Sequence, residues 1–143
     1  MSDNAAQPKQ RVIPMLAYAD APAAIDFLCN AFGFEERFRM EMPDGRIGHA
    51  EVALDGHTIM LATAWTAAGM ASPVKLAGVH SQLYCEVDDV DAHCENAKRA
   101  GAIVIAEPED QPYGSRTYRA VDPEGHRWIF GSPLPGNAEH STQ

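Results

Sequence analysis

The chain is short of basic charge, of cysteine and of long apolar runs, and each shortage removes a class of function. Its 143 residues carry 11 Lys and Arg against 20 Asp and Glu, giving a net charge of −9 and a pI near 5.0. That balance argues against a nucleic-acid partner and against an anionic membrane surface. Three cysteines, Cys29, Cys85 and Cys94, are too few and too scattered for a disulfide framework. They read as small buried thiols in a reducing compartment. The N-terminus, MSDNAAQPKQ, lacks the apolar stretch of a signal peptide. No apolar run approaches the roughly 20 residues of a membrane span, so a cytoplasmic protein is expected. There is no phosphate-cradling glycine loop, no nucleophile elbow and no Cys-x-x-Cys pair.

What the chain does have is a repeat. VIPMLAYADAPAAIDFLCNAFGF followed by GRIGHAEVALDGHTIMLA is answered by SQLYCEVDDVDAHCENAKRAGA followed by SRTYRAVDPEGHRWIFGS. Asp20 corresponds to Asp89 and His57 to His126, both 69 positions apart. Two copies of one supersecondary unit imply pseudo-two-fold symmetry, with a ligand site between the copies.

Each copy reads β-α-β-β-β. In the first, a strand spans 12–18, and Asp20 leads a helix with Ala24, Ile25, Leu28, Cys29 and Phe32 on one face, stopped at Gly33. Strands at 35–42, 46–54 and 57–64 follow, separated by the turn signals Pro43-Asp44-Gly45 and Asp55-Gly56. In the second, a strand spans 82–87, and a helix runs from Asp88-Asp89 to about Ala100, stopped at Gly101. Strands at 103–107, 116–121 and 127–130 complete it, with 108–114 as a loop and Pro123-Glu124-Gly125 as a turn. The expected organisation is one domain over 12–131, made of a module at 12–64 and a module at 80–131. Residues 65–79 form a linker, and 1–11 and 132–143 are flexible ends.

The segments AYADAPAAIDFLCNAFGFE, PDGRIGHAEV, EVDDVDAHCENAKRAGA and VDPEGHRWIFG resemble the vicinal oxygen chelate superfamily. That group includes glyoxalase I, extradiol dioxygenases, fosfomycin-resistance enzymes and bleomycin-resistance proteins. PDGRIGHAE with YGSRTYRAVDPEGHRW looks most like its poorly characterised glyoxalase/bleomycin-resistance-like branch. The resemblance implies an α+β fold in which two β-α-β-β-β modules form a partly closed, barrel-like sheet around a cleft. It also implies four inward positions that hold a divalent ion in metal-dependent members through His, Gln and Glu. Here those positions carry Ile13, Met60, Gln82 and Ile129, of which only Gln82 offers an oxygen. A catalytic ion needs about three N or O ligands, so no metal and no cofactor is expected.

Strand alternation then nominates the residues of the cleft. Gln82 brings Tyr84 and Glu86 with it, and Met60 brings Thr58 and Ala62. His49 and Glu51 share one face of their strand, as candidate base or acid–base pair. Arg116 and Tyr118 are placed on the cleft side of the matching strand, Arg116 as a counter-charge to Glu51. Tyr84, Tyr118 and Trp65 are candidate stacking surfaces for a planar ligand. His57 and His126 read as turn-stabilising, His93-Cys94 diverge on a helix, and His80 and His140 fall in the linker and tail. The expected function is metal-independent binding of a small, planar or amphipathic molecule, in the bleomycin-resistance-like manner. The resemblance implies a homodimer with clefts at the subunit interface. The alternative is a glyoxalase-like lyase, isomerase or dioxygenase that uses Glu51 or His49 with a non-standard metal site.

Overall fold

The structure, a computed structural model, describes residues 9–136; His140 and the outer parts of both expected ends lie outside the described residues. The first module contains β1 (Met15–Tyr18), α1 (Ala21–Phe32), β2 (Glu35–Glu41), β3 (Ile47–Leu54) and β4 (His57–Thr63). The second contains β5 (Leu83–Glu86), α2 (Val90–Arg99), β6 (Ile103–Asp110), β7 (Ser115–Val121) and β8 (Arg127–Pro133). Short 3-10 turns at Thr66–Ala68 and Pro73–Lys75 lie in the linker. No helix among the described residues is long and apolar enough to cross a membrane.

The repeat sets the topology. Each module forms its own four-stranded sheet, in the orders β1-β4-β3-β2 and β5-β8-β7-β6, with the first pair parallel and the others antiparallel. The two sheets are separate and do not close into a barrel.

Local chemistry explains the elements. The side chains of Asp20 and Asp89 accept from Ala23 N–H and Ala92 N–H, capping the two helices at equivalent positions. Gly33 ends α1 at φ 84°, a conformation that costs glycine little. In β3 and β4, Ala50, Val52, Ile59 and Leu61 alternate inward under α1, while their neighbours face the other way.

Two boundaries differ from the sequence reading. β6 runs through Pro108 to Asp110, where a loop is expected. It is an edge strand with a register shift between Ala106 and Glu109, and an edge tolerates a residue without N–H. β8 continues to Pro133, so residues 132 and 133 are strand and not tail. Gln10, assigned to a flexible end, is tied to β4: its amide accepts from Thr58 N–H at 2.6 Å and donates to Thr58 O at 3.0 Å.

One core joins the modules, with Phe32, Tyr18 and Leu28 from the first against Trp128, Phe130 and Tyr118 from the second. Burying a side chain of this size contributes about 1.5–3 kcal/mol. His93 pins the helix interface: its Nε2–H donates to Phe32 O at 2.8 Å, and its Nδ1 accepts from the Tyr118 hydroxyl at 2.6 Å. Burial lowers the His93 pKa, against a smaller opposing pull from the Phe32 carbonyl. The unfolded imidazole titrates near ~6.5, so the neutral ring's contribution is complete above that pH. It is lost as pH falls from ~6.5 toward the lower folded value, because the unfolded chain then binds the extra proton. Urea midpoints at pH 7.5 and 5.5 should therefore drop more in the wild type than in His93→Gln, by up to ~1.4 kcal/mol per pH unit. Equal drops in the two proteins would remove His93 as the cause.

Candidate functional site

Turning Ala50, Val52, Ile59 and Leu61 inward leaves the opposite, helix-free face of the first sheet to His49, Glu51, Thr58 and Met60. Register adds two residues to it: Phe38 pairs with Glu51, and Met15 pairs with Met60. Met15 is 63% exposed and Phe38 48% exposed, an unusual concentration of open apolar surface. Within it, His49 Nε2 lies 2.9 Å from Glu51 Oε2, both half-buried, with the Phe38 ring centroid 5.9 Å from the imidazole. The structure thus brings these two candidates into contact.

The second sheet presents Gln82, Tyr84, Arg119 and Ile129 on its helix-free face. Arg119 Nη1 donates to Gln82 Oε1 at 3.2 Å. The Tyr84 ring lies over Gly131, where a β-carbon would collide with its hydroxyl and press on Thr117. Glycine at 131 is what lets the phenol lie down on the sheet. Ile103, 61% exposed, pairs with Val121 on the same side.

Two expected residues are misplaced, and the reason is one residue of loop. The β3–β4 hairpin closes from Leu54 to His57, leaving Asp55-Gly56 between. The β7–β8 hairpin closes one step beyond the Val121–Arg127 pair, where Asp122 N–H donates to His126 O at 3.1 Å, leaving three residues, 123–125. The 69-residue correspondence holds where β1 and β5 meet β4 and β8, since Met15 pairs with Met60 and Tyr84 with Ile129. It slips to 68 on β7, and a one-residue slip exchanges the faces of a strand.

Arg116, Tyr118 and Ala120 therefore point to the helix side, not the cleft. Tyr118 is fully buried in the core, stacked on Phe130, and burial raises its pKa. Arg116 binds Asp91 of α2 and Asp110 of β6, each at 3.0 Å, which raises its pKa, and it is no partner of Glu51. The true counterpart of Glu51 is Arg119: the first pairs with Met60, the second with Ile129. The unequal hairpin lengths were the signal that could have found it.

The remaining candidates are dispersed. Trp65 stands exposed in the linker, bridged to Met70. His126 does more than support a turn: its Nε2–H donates to Ala17 O of the other module at 2.8 Å. Cys85 is inert, its pKa pushed up to about 12 by burial.

The four positions implied for an ion can be tested against these contacts. Ile13, Met60 and Ile129 supply no hard donor, and the one oxygen, on Gln82, already faces a guanidinium. A divalent ion there would give up hydration without compensation. The residues do not fit the ion. Among the described residues, no three His, Cys, Asp or Glu side chains gather as a ligand set elsewhere.

Comparison with known proteins agrees with this architecture. Residues 12–130 match the model of the glyoxalase/bleomycin resistance protein/dioxygenase superfamily. An uncharacterized protein of Mycobacterium bovis is 37% identical over 124 residues, 85% of this chain and 82% of that one. A lactoylglutathione lyase of Neisseria meningitidis is 27% identical over 81% of this chain and 85% of its own. Among solved structures, TioX from Micromonospora sp. ML1 superposes with a TM-score of 0.70 at 34% identity, covering 88% of this chain and all of that one. The fosfomycin resistance protein FosX of Listeria monocytogenes shares the fold, with a TM-score of 0.64 at 15% identity. The chain belongs to the glyoxalase/bleomycin resistance protein/dioxygenase superfamily.

Proposed function

We propose that the chain is a metal-independent binding protein that holds a small amphipathic or planar molecule against its helix-free sheet faces. The observation that carries this reading is the composition of those faces. Where an ion-dependent relative needs donors, this chain sets Ile13, Met60 and Ile129 beside the open side chains of Met15, Phe38 and Tyr84. Methionine and aromatic groups give an adaptable apolar surface, and Glu51 and Arg119 give one polar anchor of each sign on matching strands. A homodimer that laid one module's face on the other module's face of a second copy would close the cleft and cover this surface.

Nile red, a neutral planar dye, is the test. It should bind with a blue-shifted emission that chelator leaves unchanged. Met60→Glu and Ile129→Glu should each weaken it at least about tenfold, because a buried carboxylate then faces the dye. Sedimentation should give a dimer mass. Stoichiometric Ni, Zn, Fe or Mn in the purified protein, with a melting temperature lowered by chelator, would overturn the reading.

The His49–Glu51 contact favours one second reading, an enzyme that uses this pair as a general base. It requires turnover that disappears in Glu51→Gln while dye binding survives.

A further inference from the structure

A pseudo-two-fold protein has two equivalent junctions between its modules, and here they differ. At the first, the end of β1 meets the β7–β8 hairpin through a polar latch. Tyr18 donates to Asp122 Oδ2 at 2.6 Å, and the Glu124 carboxylate accepts from Ala19 N–H and Asp20 N–H at 2.6 and 2.8 Å. At the second, the end of β5 meets the β3–β4 hairpin. The repeat puts Val87 where Tyr18 stands, and the shorter hairpin puts Leu54 in the place of Asp122. The Glu124 counterpart is Asp55, one methylene shorter, and it meets Asp88, a like charge, in the place of Ala19. No latch can form from that set, and the junction stands open as a cavity of about 540 Å³. A second hollow of about 270 Å³ shares Leu54, Asp55, Glu86 and Asp88 with it.

We propose that this open junction is a binding site for an organic cation, a protonated amine carried on an apolar body; it adjoins the helix-free sheet faces, sharing Thr58 and Tyr84 with them, and differs from them in its carboxylates. Its floor is apolar, built from Phe34, Leu54, Ile59 and Leu83 at the edge of the core. Its rim carries the three carboxylates of Asp55, Glu86 and Asp88. No Lys or Arg lines either hollow, and among the described residues none of the three makes an ion pair. Carboxylates converging on one groove add their potentials and favour a cation, while the floor rewards an apolar body. The volume lies within the range of small-molecule sites, about 300–1,000 Å³. An amine seated among Asp55, Glu86 and Asp88 would supply the Lys- or Arg-like charge that this junction lacks, the basic side chains that line the two hollows being His57 and His93.

The probes are 1-naphthylmethylamine, 1-naphthylmethanol and 1-naphthoate, which share a ring system and differ in charge. Amide shifts in the ¹⁵N-labelled full chain should move at Leu54, Asp55, Val87 and Asp88 on adding the amine. Its affinity should exceed those of the alcohol and the carboxylate by about tenfold or more. The double variant Asp55→Asn/Asp88→Asn should bring the amine down to the alcohol's level and leave Nile red binding intact. Asparagine is chosen because Asp55 sits at φ 51°, which Asn tolerates. Glu51→Gln should not alter the amine's shifts, so failure of this site and failure of the sheet-face reading give different results. Three outcomes would overturn the proposal: equal affinity for the three probes, shifts that leave out Leu54, Asp55, Val87 and Asp88, or junction shifts that follow protein concentration alone, which would make a second copy the occupant.

Discussion

Asp122→Ala should cost this protein about 3–5 kcal/mol of stability, although the residue lies in a hairpin turn. Asp122 is only 2% exposed and gathers four donors. Oδ2 accepts from the Tyr18 hydroxyl at 2.6 Å and from the Trp128 indole at 3.1 Å, and Oδ1 accepts from the backbone N–H groups of Glu124 and His126 at 3.1 Å each. Alanine would strand the phenol and the indole in the core, and each orphaned buried donor costs about 1–3 kcal/mol. Tyr18→Phe is the informative companion. It removes one donor but leaves the carboxylate three others, so a loss of only about 1–2 kcal/mol is expected. Urea titration at pH 7.5 measures both. If the two variants fell by similar small amounts, below about 1 kcal/mol, the latch would be a bystander and the modules would be held by apolar packing alone. The latch extends outward through Glu124, which also accepts from the Ser72 hydroxyl and so ties the linker to the same junction.

The contrast between this junction and its twin shows where sequence reasoning succeeds and where it stops. Features set by local pattern were legible. The capping aspartates at 20 and 89, the Gly33 stop and the Asp55-Gly56 turn all sit where their backbone preferences put them. His49 and Glu51, two residues apart on one strand, were legible as a pair for the same reason. What was not legible depends on counting across a loop or on pairing across the chain. Reading β7 by the repeat distance put Tyr118 in the cleft, because the single extra residue lies in the hairpin beyond the strand. Arg119 was hidden by the same slip. The partners Tyr18 and Asp122 lie 104 positions apart, and nothing in a turn-like VDPEGH run announces a buried carboxylate. Pro108 reads as a strand breaker unless the strand is known to lie on an edge.

Phe32→Ala should be as damaging as loss of the latch, by a different mechanism. Phe32 is the last residue of α1 and is fully buried where the modules meet. Its ring lies 5.1 Å from Phe27, 5.4 Å from Trp128 and 4.7 Å from Phe130, centroid to centroid, so it touches aromatic rings of both modules. Truncation would leave a void bounded by those rings, at a cost of about 3–5 kcal/mol for a buried phenylalanine. Phe32→Leu retains most of the volume and should cost less than half of that. The backbone carbonyl of Phe32 would still accept from His93, so the helix contact gives a second readout. If the void is simply apolar, the difference between wild type and Phe32→Ala should not change between pH 7.5 and 5.5. If removing the ring lets water reach His93, the variant should lose the wild type's acid sensitivity, because a solvated imidazole titrates near its unfolded value. Measuring Phe32→Ala at both pH values therefore tests the packing and the burial of His93 together. An effect below about 1.5 kcal/mol at pH 7.5 would mean that the modules can close over the lost ring, and that their junction is softer than this aromatic cluster implies.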